Sequence, residues 1–183
     1  YKLNVSGEYN VLNAVAAINA GLRCGLSPAL INQGLQEYSP IDKRWQLNKL
    51  KDGSLLINDS YNANPDSVKA AIDAVIDTYK SQKIVLVLGD MAELGEHEDY
   101  YHRELGKYIS DKPVNMLITV GEKAELISKT VKNDEIILKS CKKNSDAIRF
   151  LTENNIAGSV ILLKASRCMS FEEIEQGIIK ELK

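Results

Sequence analysis

The sequence predicts a doubly wound α/β fold, a mostly parallel sheet covered by helices on both faces, with two helices ahead of it. Three observations carry this. From residue 84 onward, short apolar runs of strand length alternate with helically spaced stretches. The runs are continuously apolar rather than alternating, as in strands buried on both faces. Finally, the polar and glycine-containing segments that could carry chemistry follow the runs, where open α/β sheets bind ligands.

In order along the chain, Val11, Leu12, Val15, Ile18 and Leu22 recur at helical spacing within Asn10 to Arg23, and Gly25 closes that helix. Ser27 and Pro28 provide a cap and first turn for a helix from Pro28 to about Glu37. Ser39-Pro40 breaks the pattern and marks a boundary between residues 1–41 and 42–183. Gln46 to Leu50 and Ser54 to Asn58 flank Asp52-Gly53, a hairpin signal. Strands are expected at Ile84 to Leu88, Met116 to Val120, Glu135 to Leu138 and Ser159 to Leu163. Helices are expected near Pro65 to Tyr79, His102 to Ile109, Glu122 to Thr130 and Ser145 to Glu153. A last helix, Phe171 to Leu182, opens with Ser170 and Glu173 at capping-box spacing.

Bulk properties exclude several functions. A formal charge of −2 with no basic stripe leaves no electrostatic footprint for nucleic acid. The longest apolar runs are too short to span a bilayer. Cys24, Cys141 and Cys168 are odd in number and widely scattered, which suits neither a disulfide framework nor a zinc site and fits a reducing cytoplasm. His97 and His102 do not form HExxH, and no GxxxxGK[ST] loop occurs. A start at Tyr1 without Met reads as a cut inside a longer protein.

Three loops stand out. In "NDSYNANPDSV" Asn64 caps a helix and Pro65 fills its first turn, but Asp59, Tyr61 and Asn62 exceed what a tight connection needs. "GDMAELG" sets Asp90 and Glu93 between glycines, where they could hold a cation, a ribose hydroxyl or an ammonium group, or only cap a helix. "KASR" sets Lys164 and Arg167 at a strand end, either to neutralise a phosphate or carboxylate or as solvated cations.

Taken together, "GEYNVLNAVAAINAGLRCGLS", Arg44, "INDSYNANPDSVKAAI", "VLGDMAELGEHEDYYHRELG" and "LLKASRCMSFEEI" resemble the Mur ligases in order and spacing. The likeness is strongest to the branch that joins D-Ala-D-Ala to UDP-N-acetylmuramoyl-tripeptide. It implies that residues 1–41 end a central ATP-binding domain and that residues 42–183 form the Rossmann-like carboxy-terminal domain. It also implies a cytoplasmic, ATP-dependent ligase acting through an acyl phosphate in peptidoglycan precursor synthesis. ATP would be used with Mg2+, and the phosphate loop and most metal ligands would lie before Tyr1, so this chain alone is expected to be inactive. By resemblance, Asn10 and Asn13 would contact the adenine, Arg44 the ATP phosphates and Asp59 the ribose hydroxyls. Tyr61, Asn62 and Asn64 would line the cleft between domains. Lys164, Ser166 and Arg167 would stand on the amine-substrate side, in a Lys-Gly-Ser-Arg motif where Ala165 replaces the glycine; Tyr9 replaces a common His. The alternatives are a related ATP-dependent amino-acid ligase of the folylpolyglutamate or cyanophycin synthetase type, and a non-catalytic nucleotide-binding module.

Overall fold

The structure, a computed structural model, describes residues 1–3, 8–38 and 43–181, except for the side chains of residues 8 and 9. The expected break at Ser39-Pro40, the side chain of Tyr9 and the expected helix end at Leu182 lie outside the described residues. The chain divides into two compact units, Tyr1–Ile41 and Asp42–Lys183.

The first unit is a helical hairpin, α1 (Glu8–Arg23) and α2 (Pro28–Glu37). Gly25 turns the chain with φ 78°, and the Ser27 hydroxyl caps α2 by accepting from the Leu30 amide at 3.3 Å. A Cβ on Gly21 would meet Ile31 at 3.0 Å, so the glycine makes room for a side chain buried in the hairpin seam. The expected apolar stripe of α1 is mostly not buried: Val11, Leu12, Val15 and Leu22 are exposed, and Ala14 is the buried position. Two helices offer each other one narrow seam, too small to cover a stripe of that width.

The second unit is a six-stranded sheet in the order β1-β2-β6-β3-β4-β5. The strands are β1 (Gln46–Lys49), β2 (Leu55–Asn58), β3 (Ile84–Gly89), β4 (Met116–Val120), β5 (Ile137–Cys141) and β6 (Val160–Lys164). The β1–β2 pair is antiparallel, turned through Gly53 at φ 84°, and every other pair is parallel. Helices α3 (Pro65–Thr78), α4 (Glu98–Ser110) and α5 (Glu125–Thr130) share one hydrophobic core with Ile57, Leu86 and Leu88. Helices α6 (Asn144–Glu153) and α7 (Glu172–Glu181) share the other with Leu56, Val85, Val87 and Leu163. Successive residues of a strand therefore feed opposite cores, which is why the strands read as unbroken apolar runs. Each fully buried aliphatic side chain contributes about 1.5–3 kcal/mol.

Three expectations shift. The strand expected at Glu135 to Leu138 is β5, Ile137–Cys141; at the sheet edge it is exposed along most of its length, so Lys139 and Ser140 carry its ladder opposite Ile118 and Thr119. Helix α4 begins at Glu98, four residues before the expected start, with Glu98 and Asp99 suited to the positive end of the helix dipole. The expected capping box before α7 is replaced: Ser170 is left-handed (φ 51°), and the Glu173 carboxylate accepts from Asn144 Nδ2 at 3.0 Å.

The chain leaves β3 toward β4 and β5 through α4 and α5 on one face, then returns to β6 through α6 on the other. Such a change of direction opens a crevice at the carboxyl ends of β3 and β6. Among the described residues, no helix is long and apolar enough to cross a membrane.

Candidate functional site

Because β6 lies between β2 and β3, the loops leaving these three strands sit side by side. Lys164, the last residue of β6, ties them together. Its side chain is buried, and its ammonium donates to Asp59 Oδ2 at 2.7 Å, the Asp59 carbonyl at 3.2 Å and the Asn62 carbonyl at 3.0 Å. An ammonium has three donors, and all three are accounted for within the loop after β2. Lys164 is thus a brace for that loop.

Asp59 continues the parallel ladder, its amide donating to the Leu163 carbonyl at 2.9 Å. Its Oδ1 accepts from the Trp45 amide at 3.3 Å, so both carboxylate oxygens are oriented, each with lone-pair capacity remaining. Trp45 is buried and has φ 50°, and Lys43 has φ 65°. Left-handed backbone is costly for a bulky residue, and here it is held in place by the Tyr61 amide donating to the Lys43 carbonyl at 3.0 Å. Arg44 sits between these two residues, with its guanidinium carbon 4.4 Å from the centroid of the Tyr61 ring. The guanidinium carbon of Arg167 lies 5.4 Å from the same centroid.

Asn64 caps α3 in a reciprocal capping box with Ser67. Asn62 is exposed and contributes its carbonyl to Lys164. The Ser166 hydroxyl accepts from the Ala92 amide at 2.8 Å, and its amide donates to the Asp90 carbonyl at 3.1 Å, so it joins the β6 loop to the β3 loop. Ala165 is buried with an ordinary backbone conformation, and a Cβ on Gly89 would stand 2.6 Å from the Ala165 methyl and 2.8 Å from Phe171. The alanine is accommodated because its neighbour on β3 is glycine.

Asp90 turns toward α5, where Oδ1 accepts from the Ala124 amide at 2.6 Å. A Cβ on Gly121 would meet this carboxylate at 2.3 Å. Burial raises the Asp90 pKa above its ordinary value of 3.8, only partly offset by the amides of Ala124 and Lys123. Glu93 is exposed and left-handed at φ 64°. Asn10 and Asn13 lie on α1, in the other compact unit. The structure therefore brings Arg44, Asp59, Tyr61, Asn62, Lys164, Ser166 and Arg167 together in the second unit and gives Asp90 and Asn64 bracing and capping bonds.

A raised carboxyl pKa makes the folded state bind its proton more readily than the unfolded chain. This contribution is fully present below the unfolded value and is lost as pH rises through the folded one. The stability of the wild type relative to Asp90→Asn is therefore expected to increase as pH is lowered from 7 to about 4. Urea unfolding of both proteins at several pH values checks this, and a difference that stays flat or shrinks contradicts it.

Several supporting residues gave no local signal in the sequence. Buried Asn58 donates to Glu175 Oε2 at 2.7 Å, Asn48 donates to Oε1 at 2.8 Å, and the Asn58 side-chain oxygen accepts from Ser60. Buried His102 accepts the Met91 amide on Nε2 at 3.0 Å, which fixes the ring proton on Nδ1, facing the Glu98 carbonyl at 2.7 Å. A polar Asn ending an apolar strand was the one available hint.

Residues 43–167 match the family model described as "Mur ligase, glutamate ligase domain". The UDP-N-acetylmuramoyl-tripeptide–D-alanyl-D-alanine ligase of Bacillus subtilis is 38% identical over 180 residues, 96% of this chain and 39% of that enzyme. The crystal structure of MurF from Acinetobacter baumannii superimposes with a TM-score of 0.86 at 28% identity, covering 97% of this chain and 39% of that one. MurF ligase from Thermotoga maritima, solved in complex with ADP, gives 0.79 at 26% identity over 97% of this chain and 39% of that one. The chain thus spans about two fifths of the length of the curated relatives it matches.

Proposed function

This chain belongs to the Mur ligase family, and from that membership we propose that it is the carboxy-terminal part of a cytoplasmic, ATP-dependent ligase that joins D-Ala-D-Ala to UDP-N-acetylmuramoyl-tripeptide. The observation that carries the proposal is the 38% identity across 96% of the chain to an enzyme of that name. ATP would supply the phosphoryl group that converts the tripeptide carboxylate to an acyl phosphate, leaving ADP, and the attacking dipeptide amine would displace phosphate as the peptide bond forms. The residues of this chain bind and orient. Asp59, held on both oxygens by Lys164 and Trp45, would accept hydrogen bonds from ribose hydroxyls. Arg44 would face the phosphates, and Asn10 and Asn13 would contact the adenine. Within the second unit, Asn62, Asn64, Asp90, Glu93 and Ser166 would shape the loops beside Asp59, with Asp90 and Ser166 acting through the loop bonds described above.

Among the described residues no group of three His, Cys, Asp or Glu could hold a metal ion. Asp59 and Glu172 are each paired with a lysine, at 2.7 and 2.8 Å. These residues do not fit a Mg2+ site.

In the full-length enzyme, Asp59→Asn is expected to raise the KM for ATP by about tenfold or more, the equivalent of a charge-assisted hydrogen bond of roughly 1.5–3 kcal/mol. Phosphate release should require both the tripeptide and D-Ala-D-Ala. An unchanged KM and turnover would put the nucleotide elsewhere, and equal activity with L-glutamate as the amine would favour a folylpolyglutamate-type ligase.

A further inference from the structure

Two guanidinium groups share one aromatic ring, and the backbone is strained to achieve it. Arg44 is carried between two left-handed residues, Lys43 and Trp45, and Trp45 is anchored by burial and by Asp59. Strain of this kind persists only where the surroundings over-determine it, and it concentrates at ligand clamps. Arg167 comes from the adjacent strand β6, in a short 3-10 turn (Arg167–Met169) that follows the buried pair Ala165 and Ser166. Their distances to the Tyr61 centroid, 4.4 and 5.4 Å, put the two guanidinium carbons at most about 10 Å apart.

The nearby carboxylates make their ion pairs with lysines instead. Glu172 makes its ion pair with Lys43, whose ammonium, with a smaller pull from Arg167, holds the Glu172 carboxyl below its ordinary value, and Asp59 is paired with Lys164. Among the described residues neither guanidinium is paired with a carboxylate. The ring therefore holds two like charges within about 10 Å of each other, on exposed residues that each carry a planar donor edge. A carboxylate satisfies one such fork. A chain of linked phosphates, with several oxygens and more than one negative charge, can engage both.

Resting on the ligase reading above, we infer that Arg44, Arg167 and Tyr61 form one anion site for the phosphate chain of a nucleotide, with Tyr61 as the positioning residue. Arg167 then serves the nucleotide and not the amine substrate.

The test uses the full-length enzyme with each substrate varied at saturation of the others, together with calorimetric titration of ADP. Arg167→Ala should raise the KM for ATP and the Kd for ADP by about tenfold, and leave the KM for D-Ala-D-Ala within about twofold. Tyr61→Leu should reproduce the Arg167→Ala defect at an unchanged melting temperature, and Tyr61→Phe, which keeps the ring, should recover most of what Tyr61→Leu loses. A raised KM for D-Ala-D-Ala with ATP unaffected overturns the assignment. So does a Tyr61→Phe defect as large as that of Tyr61→Leu, since the hydroxyl and not the ring would then matter. If the wild type fails to ligate D-Ala-D-Ala, the ligase reading falls. The ADP titration still decides the clamp: a tenfold loss in Arg167→Ala supports it, and an unchanged Kd sinks it.

Discussion

Lys164→Met is expected to destabilise the protein by about 3–5 kcal/mol, because it leaves a largely buried Asp59 carboxylate without its counter-charge. The same substitution also removes the donors that hold the Asp59 and Asn62 carbonyls, so the loop after β2 loses its attachment to the centre of the sheet. With a urea m-value near 2 kcal/mol/M the midpoint should fall by about 2 M. Adding Asp59→Asn removes the stranded charge, so the double variant should lose less than the two single losses combined, with a coupling of at least about 1 kcal/mol. A midpoint shift below about 0.5 M for Lys164→Met would mean that the loop is held by something other than this ammonium.

Gly106→Ala should cost about 3 kcal/mol or more, against the gain of nearly 1 kcal/mol that helix propensity alone would give. Gly106 lies on α4 where it crosses α5. A Cβ there would stand 2.1 Å from Thr130 Oγ1 and 2.2 Å from the Ile127 carbonyl oxygen. Backbone cannot rotate away as a side chain can, so the helices would have to separate and open the core around Leu105 and Ile127. Gly177→Ala is the comparison. Its Cβ would meet the end of the Ile148 side chain at 2.6 Å, a group able to change rotamer, so its cost should be clearly smaller. Equal urea midpoints for the two variants would refute the close-approach argument.

How much of this was legible in the sequence depends on whether the cause was local. The alternation of apolar runs and helices predicts the parallel sheet because buried strands need apolar residues on both faces, and β3, β4 and β6 fall within a residue of their expected positions. The β5 strand was displaced because an edge strand is freed from that requirement. Asn64 and Pro65 were readable as a cap because capping is decided within four residues. The partners of Lys164 and Glu175 lie more than a hundred residues away in sequence and are set by strand order, which no local pattern encodes. "GDMAELG" by itself is compatible with Asp90 as ligand or as cap; its bond to Ala124 depends on how β4 leads into α5. The shared ring beneath Arg44 and Arg167 was invisible for the same reason, since neither arginine is near the other in the chain.

The position of β6 also sets a timetable. It is the last of this sheet's six strands in chain order, yet it pairs with β2 on one side and β3 on the other. As a nascent chain grows, β3, β4 and β5 can zip together in sequence, and β1 with β2, but the two blocks have no strand between them until residues 160 to 164 appear. Until then β2 and β3 each present an open, apolar edge of the kind that recruits other strands. Closure of the sheet is thus postponed until those residues have been made and depends on contacts distant in sequence, the slow class of folding event. The same step that finishes the sheet delivers Lys164 to Asp59, so the loop after β2 is braced only once β6 has been made.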